Sequence, residues 1–274
     1  MTNIGVFDSG VGGLWILKHL EQEIPDYNYI FFGDQGHVPY GVKSLDEIKI
    51  YSEEITKFLI NKGCKIIVIA CNTASAAALK YLREKFPDIL FVGMEPAVKK
   101  AVEMTTTGVV GVLATPATFD GELYNSVVER FAQNVEIHKD TCLELVERIE
   151  KGDFDSKETK IILENALKPM LLDGIDTVVL GCTHYPFVIP AIKAIVGSEV
   201  NVIDPTPAIV RQVSHLLTDS GLISKNKDEK KISIFTSRDG VGIKIILEKL
   251  FNKEINVMRV DWTKDLKINN YEAN

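Results

Sequence analysis

The stretch Thr177-Val-Val-Leu-Gly-Cys-Thr-His-Tyr-Pro186 decides how the rest of the chain is interpreted. Its apolar half predicts a buried strand that ends at Gly181 and is followed at once by a cysteine, a threonine and a histidine. A second stretch, Ile66-Ile-Val-Ile-Ala-Cys-Asn-Thr-Ala-Ser75, repeats this plan around Cys71. In open α/β sheets, ligands bind beyond the carboxyl ends of the strands, so two such strand ends can face one pocket.

Strand-like apolar runs alternate with helical patterns from one end of the chain to the other. This alternation predicts an α/β protein with mainly parallel sheets flanked by helices. Residues 4–97 and 108–207 each run strand, polar loop, helix and cysteine strand, which indicates two similar halves with a boundary near residue 97. The pattern also predicts helices over residues 141–150 and from Thr118 to Phe131. A charged loop over 224–231 and a frayed tail after Trp262 complete the prediction.

Composition excludes several classes of function. The 274 residues carry 31 basic and 38 acidic side chains, a net charge of −7, which argues against nucleic acid or an anionic membrane as the main partner. The four cysteines show neither C-x-x-C spacing nor the density of a disulfide scaffold. With no recognisable secretory signal or spanning segment, a reducing cytoplasm is the expected location.

Two places where a strand gives way to a helix are expected to carry polar groups to the site. Asp8-Ser-Gly-Val-Gly-Gly13 links a strand to a helix, and its N–H groups at the helix start could seat an anionic group. Tight strand-to-helix packing is the alternative explanation of its glycines. Cys71, with Asn72 and Thr73, lies where a strand becomes a helix, a position that can lower a thiol pKa below its free value of about 8.5.

The residues near the two cysteines distinguish between the possible roles of their thiols. A metal site needs further close-set ligands, and only His184 lies near either thiol in sequence, so no metal is expected. A Cys–His hydrolase would leave Cys71 unexplained, and residues two apart on an extended chain point to opposite faces. Two thiols in equivalent places instead suit racemisation, in which one thiolate removes an α-proton and the opposite thiol returns one. Asp8 is the candidate to assist Cys71, and His184 the candidate to assist Cys182.

The ordered motifs resemble those of the glutamate racemases over roughly residues 4 to 210. The motifs that carry the resemblance are Gly5-Val-Phe-Asp-Ser-Gly-Val-Gly-Gly13, Gly33-Asp34 with Val38-Pro-Tyr-Gly41, Ala70-Cys-Asn-Thr-Ala74, Gly93-Met-Glu-Pro96, Ala114-Thr-Pro-Ala-Thr118 and Gly181-Cys-Thr-His-Tyr-Pro186. The resemblance implies cofactor-independent interconversion of L- and D-glutamate for peptidoglycan synthesis, and a homodimer. It also implies two α/β domains with the active site in the cleft between them: residues 1–97 with 208–274, and residues 98–207.

The resemblance also implies roles for individual residues. The catalytic cysteines correspond to Cys71 and Cys182, and the assisting residues to Asp8 and His184. Glu150 matches a further family glutamate, with Glu147 as the alternative register. The implied substrate contacts are Ser9, Pro39, Tyr40, Gly41, Asn72, Thr73, Thr115, Thr118 and Thr183. One departure is Gln35-Gly36-His37, where the family usually has Thr-Ala-Arg, so the shape of this loop is expected to differ.

Two alternatives stay open at the level of sequence. The sequence indicates the two catalytic thiols more clearly than the pocket for the substrate side chain. Racemisation of aspartate or another amino acid is therefore the closest alternative hypothesis. A non-catalytic protein that binds a small carboxylate on the same fold is the hypothesis from a different class.

Overall fold

A computed structural model describes residues 2–95, 97–222, 231–251 and 254–268. Its strands are β1 (Asn3–Asp8), β2 (Asn28–Gly33), β3 (Cys64–Ile69), β4 (Leu90–Gly93), β5 (Val109–Ala114), β6 (Glu136–Asp140), β7 (Thr177–Gly181), β8 (Asn201–Ile203), β9 (Ile232–Thr236) and β10 (Val257–Arg259). Its α-helices are α1 (Gly13–Glu23), α2 (Leu45–Asn61), α3 (Asn72–Lys85), α4 (Val98–Met104), α5 (Pro116–Phe119), α6 (Glu122–Phe131), α7 (Leu145–Glu150), α8 (Lys157–Leu172), α9 (Ile189–Val196), α10 (Thr206–Asp219) and α11 (Val241–Leu250). Short 3-10 helices span Tyr40–Val42 and Tyr185–Val188.

The strands form two parallel sheets, each the centre of one domain. The first sheet has the order β10-β9-β2-β1-β3-β4, and the second has the order β6-β5-β7-β8. The chain completes β4, builds the second sheet, and returns to the first with β9 and β10. The predicted fold class, mainly parallel sheets flanked by helices in two domains, is therefore confirmed. The boundaries at residues 97/98 and 207/208 stay a prediction.

Apolar side chains cover both faces of the first sheet. Ile4 and Val6 of β1 pack on the α1 side, whereas Phe7 and Phe32 pack in a second cluster with α2 and α3. Alternate residues of a strand point to opposite faces, so a strand buried on both sides is apolar throughout. This is why β1, β3 and β7 read as continuous apolar runs. Within the described part of the chain, none of the helices is both long and apolar enough to cross a membrane.

Several predicted elements differ in their ends. The helix predicted over 141–150 begins only at Leu145, because Cys142 (φ 43°) and Glu144 (φ 69°) adopt left-handed backbone that interrupts helical geometry. The helix predicted to run to Phe131 is split in two at Asp120 and Gly121.

Two predictions at the carboxyl end meet the limits of the described residues. The charged loop was predicted over residues 224–231, of which 224–230 lie outside the described part and only Lys231 lies within it. The tail was expected to fray after Trp262, but Trp262 pairs with Ile268 in an antiparallel bridge. Residues 269–274 lie outside the description.

Candidate active site

The two cysteines line one small cavity between the sheets. Cys71 is the N-cap of α3, just beyond the carboxyl end of β3, and Cys182 directly follows β7. The cavity has a volume of about 20 Å³ and is lined by Ser9, Pro39, Tyr40, Gly41, Cys71, Asn72, Thr73, Thr115, Thr118, Val146, Gly181, Cys182, Thr183 and His184. The structure thus brings together residues predicted from five separate stretches of sequence. Val146 and Gly181 were not predicted, and Asp8 and Glu150 lie behind this wall.

Cys71 is held as a buried thiol at the start of a helix. Its Sγ accepts the Ala74 N–H at 3.4 Å and lies 3.6 Å from the Ser9 hydroxyl. Burial raises the pKa of Cys71 to about 12 and the nearby Asp8 carboxyl raises it too, while the Ala74 and Ser9 hydrogen bonds lower it. The prediction of a lowered thiol pKa is therefore wrong, because desolvation outweighs the helix terminus.

Cys182 is linked through His184 to a partly buried carboxylate. His184 Nδ1 lies 3.7 Å from Cys182 Sγ, and His184 Nε2 lies 2.6 Å from Glu150 Oε1. Contrary to the expectation for an extended chain, the Cys182 and His184 side chains meet, because β7 ends at Gly181 and the chain turns into a 3-10 helix. Glu150 is the glutamate that reaches His184. Glu147 lines a neighbouring cavity instead.

The His184–Glu150 pair favours the charged form of both partners. Burial alone lowers the pKa of His184, but its hydrogen bonds to Cys182 and Glu150 raise the pKa well above the ordinary value of 6.5. Burial raises the pKa of Glu150, and the hydrogen bonds from His184, Gln35 and Val11 outweigh it and bring the pKa below 4.5. An imidazolium beside Cys182 is the arrangement that stabilises a thiolate there.

Side chains of the second domain pack closely against the glycine-rich turn of residues 8–13. Val11 N–H donates to Glu150 Oε1 at 2.7 Å, so the anion seat predicted in this turn is filled by the protein's own carboxylate. A Cβ on Gly10 would overlap Glu150 Oε1, and a Cβ on Gly12 would lie 2.6 Å from Thr183 Oγ1. The glycines are therefore required by close approach across the cleft.

Asp8 is a fully buried carboxyl at the end of β1. Its Oδ2 accepts the Gly10 N–H at 3.0 Å, and its Oδ1 accepts the Thr183 hydroxyl at 3.1 Å across the cleft. Burial raises the pKa of Asp8, while the nearby His184 opposes the shift. The structure places Asp8 close enough to Cys71 for its charge to act on that thiol.

Hydroxyl and amide groups complete the cavity wall. Thr73 Oγ1 lies 3.1 Å from Thr115 Oγ1, which lies 3.0 Å from Thr118 Oγ1, so a chain of hydroxyls crosses between the domains. The buried Asn72 Nδ2 has no hydrogen-bond partner among the described residues. A buried amide without a partner costs free energy, which points to a ligand as its missing acceptor.

Asp34 organises the pocket loop and was given no role from sequence. Its carboxylate accepts hydrogen bonds from the Tyr40 hydroxyl at 2.6 Å, the Ser237 hydroxyl at 2.6 Å and the Trp262 indole at 2.9 Å, and it pairs with His37 at 3.0 Å. The available signal was its position, a carboxylate directly after a buried strand, as for Asp8. Within the described ranges, no three His, Cys, Asp or Glu side chains are grouped so as to hold a metal ion.

Comparison with known proteins identifies the class. The family model described as Asp/Glu/hydantoin racemase matches residues 16–213. A curated glutamate racemase from Roseiflexus sp. (strain RS-1) is 46% identical over 220 residues, which are 80% of this chain and 81% of the relative. The chain therefore belongs to the Asp/Glu/hydantoin racemase family.

Solved structures place it more narrowly within that family. Escherichia coli glutamate racemase, in complex with L-glutamate and the activator UDP-MurNAc-Ala, superposes with a TM-score of 0.84 at 31% identity, covering 97% of this chain and 98% of the other. The Francisella tularensis enzyme in complex with D-glutamate gives 0.81 at 30% identity, covering 94% and 96%. The chain groups with the glutamate racemases in sequence and fold, as the motifs predicted, and it is an amino-acid racemase.

Proposed function

We propose that this racemase interconverts L-glutamate and D-glutamate without a cofactor, by proton transfer between Cα and two cysteine thiols. The observation that carries the proposal is the cavity itself, to which one sheet contributes Cys71 and the other contributes Cys182. Relatives of similar length and fold that bind L-glutamate or D-glutamate support glutamate as the substrate.

The reaction needs one base and one acid on opposite faces of Cα. A thiolate on one face takes the α-proton and becomes a thiol, and the electron pair left on Cα is delocalised into the carboxylate. The thiol on the other face donates its proton to Cα and becomes a thiolate, which inverts the centre. The roles exchange for the opposite enantiomer.

Each thiol has a different set of assisting groups. His184, held charged by Glu150, favours the thiolate of Cys182. Cys71 has Asp8 and the Ser9 hydroxyl beside it, and the raised pKa of Asp8 lets this carboxyl hold or return a proton. The two thiols therefore perform the same proton transfer, but Cys182 is assisted by a cationic imidazolium and Cys71 by a carboxyl group.

Neutral donors are suited to bind the substrate carboxylates. The Nδ2 of Asn72 has no hydrogen-bond partner in the described part of the chain, and Ser9, Thr73, Thr115, Thr118 and Thr183 add hydroxyl groups to the wall. The 3-10 turn at Tyr40 and Gly41, preceded by Pro39, forms another part of the cavity wall. At about 20 Å³ the cavity has room for about one water molecule, so the cleft must widen to admit glutamate.

The metabolic role follows from the product. We infer that the enzyme supplies D-glutamate for peptidoglycan synthesis and acts as a homodimer, as the family resemblance implies.

Solvent isotope exchange tests the reaction directly. Each glutamate enantiomer is incubated with the enzyme in heavy water, and the α-proton is followed by NMR while optical purity is followed by chiral chromatography. We expect deuterium at Cα together with inversion. Inversion of glutamate without solvent exchange contradicts the two-base scheme, and faster turnover of aspartate than of glutamate reassigns the substrate. Binding of glutamate with neither exchange nor inversion favours a carboxylate-binding protein.

A further inference from the structure

Gln35 lies between the two domains, directly behind the assisting groups of Cys182. It follows β2 in the loop that departs from the family pattern, and 6% of its surface is exposed. Its Nε2 donates to Glu150 Oε2 at 2.9 Å, and its Oε1 accepts the Thr236 hydroxyl of β9 at 3.1 Å. The side chain thus joins the first sheet to the carboxylate at the end of α7.

The orientation of this amide is determined by its partners. Thr236 Oγ1 accepts the Arg238 N–H at 3.3 Å, so its own proton is directed to Gln35 Oε1. An ionised carboxylate only accepts hydrogen bonds, so the NH₂ end of Gln35 must face Glu150. The amide therefore has one arrangement that satisfies all of its partners.

The same amide completes the hydrogen bonding of Glu150. Oε1 receives His184 Nε2 and Val11 N–H, and Oε2 receives Gln35. Gln35 and Glu150 also line a second cavity of about 390 Å³ beside the active site, together with Lys151 and Arg238. Without the glutamine, Oε2 would lose the hydrogen-bond donor that Gln35 supplies.

The backbone around the pair is shaped to fit it. A Cβ on Gly242 would lie 2.9 Å from Gln35 Nε2 and 2.7 Å from the Glu150 carbonyl oxygen. Only a glycine allows the start of α11 to pack this closely against the two side chains.

We propose that Gln35 is a positioning residue, which fixes the Glu150 carboxylate against His184 and through it directs the imidazole toward Cys182. This inference rests on the proposed two-thiol reaction and adds a residue to the Cys182 side of it. The titratable groups that act on His184 are Glu150, Asp8 and Cys182. Of these, Glu150 contacts the Nε2 atom of His184, and Gln35 holds Glu150 in place.

The test replaces Gln35 by methionine, which keeps the side-chain length and removes both hydrogen bonds. Gln133→Met, at an exposed position of the second domain, is the matched control. Thr236→Val is a second variant that keeps the glutamine but removes the donor that orients it. The readouts are kcat and KM for both enantiomers, the unfolding curve, and the titration of His184 by NMR in ligand-free protein.

Gln35→Met is expected to lower kcat about tenfold with KM within about twofold, and to move the His184 titration to lower pH. Thr236→Val should act in the same direction more weakly, and Gln133→Met should match wild type. Unchanged His184 titration overturns the proposal, whether kcat falls or not, because a purely structural role predicts that result. If Gln35→Met does not fold, an unchanged His184 titration in Thr236→Val overturns it equally. If wild type exchanges no glutamate α-proton while the titration still shifts, the proposed function fails and the positioning role stands.

Discussion

The Val11 N–H donates to Glu150 Oε1 at 2.7 Å, so a carboxylate of the second domain occupies the glycine-rich turn of the first. The same oxygen lies 2.6 Å from His184 Nε2. The turn therefore serves the active site indirectly, because it holds the group that keeps His184 charged beside Cys182.

Substitution of a single cysteine is expected to separate exchange from inversion. In Cys71→Ser and in Cys182→Ser, racemisation should fall by about 10² to 10⁴, because one face of Cα has lost its thiol. The remaining thiol can still remove and return the α-proton of one enantiomer on its own face. NMR in heavy water should show slow exchange of opposite enantiomers in the two variants, without inversion. Cys64→Ser, at the buried start of β3, is the control that should retain racemisation. Equal racemisation in all three variants would remove the thiols from the mechanism.

Gly10→Ala is expected to displace Glu150 and lower kcat by at least about tenfold, because the new Cβ would overlap Glu150 Oε1. Steady-state kinetics and a denaturant unfolding curve measure the two effects separately. Gly174→Ala is the matched control: its φ of +85° makes alanine strained there, but no atom of the described residues lies within 4 Å of the new Cβ. The control should lose about 1 kcal/mol of unfolding free energy and keep its kcat. Equal kcat losses in both variants would show a general effect of strain.

Glu150→Gln is expected to lower the pKa of His184, because burial then acts without its charged partner. NMR titration of the imidazole measures this, with His184→Gln to assign the signal and Glu147→Gln as the control.

The ion pair also predicts the pH dependence of stability. The ion pair contributes fully to stability between pH 4.5 and pH 6.5, which are the ordinary pKa values of Glu and His. It is lost as pH falls through the lowered pKa of Glu150, and as pH rises through the raised pKa of His184. A wild-type stability curve parallel to that of Glu150→Gln would contradict the pairing.

Asn72→Ala is expected to raise KM for glutamate by about tenfold or more, because its Nδ2, which has no partner among the described residues, is a donor suited to a substrate carboxylate. The free energy of unfolding should change little, since Nδ2 loses no protein partner and alanine favours the helix that begins here. Asn125→Ala on the exposed side of α6 is the control. A large loss of stability at unchanged KM would assign Asn72 to the fold instead of the substrate.

Asp34→Asn is expected to destabilise the protein by about 3 kcal/mol, because one carboxylate accepts from Tyr40, Ser237 and Trp262 and pairs with His37. An amide of the same shape has a single acceptor oxygen and leaves donors unpaired. Denaturant unfolding measures the loss, and Asp120→Asn, at the end of α5, is the control. Stability equal to wild type would show that the loop is held by its aromatic contacts alone.

The elements that pack by periodic apolar pattern were predictable from sequence. β1, β3 and β7 follow from continuous apolar runs, and α3 from its alanines and leucines. The start of α7 was missed because the left-handed backbone at Cys142 and Glu144 has no periodic signature. The residues on the cavity wall came from motifs, whose side chains lie at the carboxyl ends of strands. Val146 and Gln35 were missed as site residues because their roles depend on elements that are distant in sequence.

The amino-acid sequence by itself determined two parallel sheets and two cysteines at equivalent strand ends, because burial on both faces of a sheet demands apolar runs and leaves chemistry to the loops. The tertiary structure alone decided how the pKa values of Cys71 and His184 are shifted. Burial raises the pKa of Cys71, and hydrogen bonds to Glu150 and Cys182 raise that of His184. Desolvation and hydrogen bonding depend on neighbours from other parts of the chain, such as Gln35, Val11 and Thr183. No local sequence pattern indicates which distant residues become neighbours.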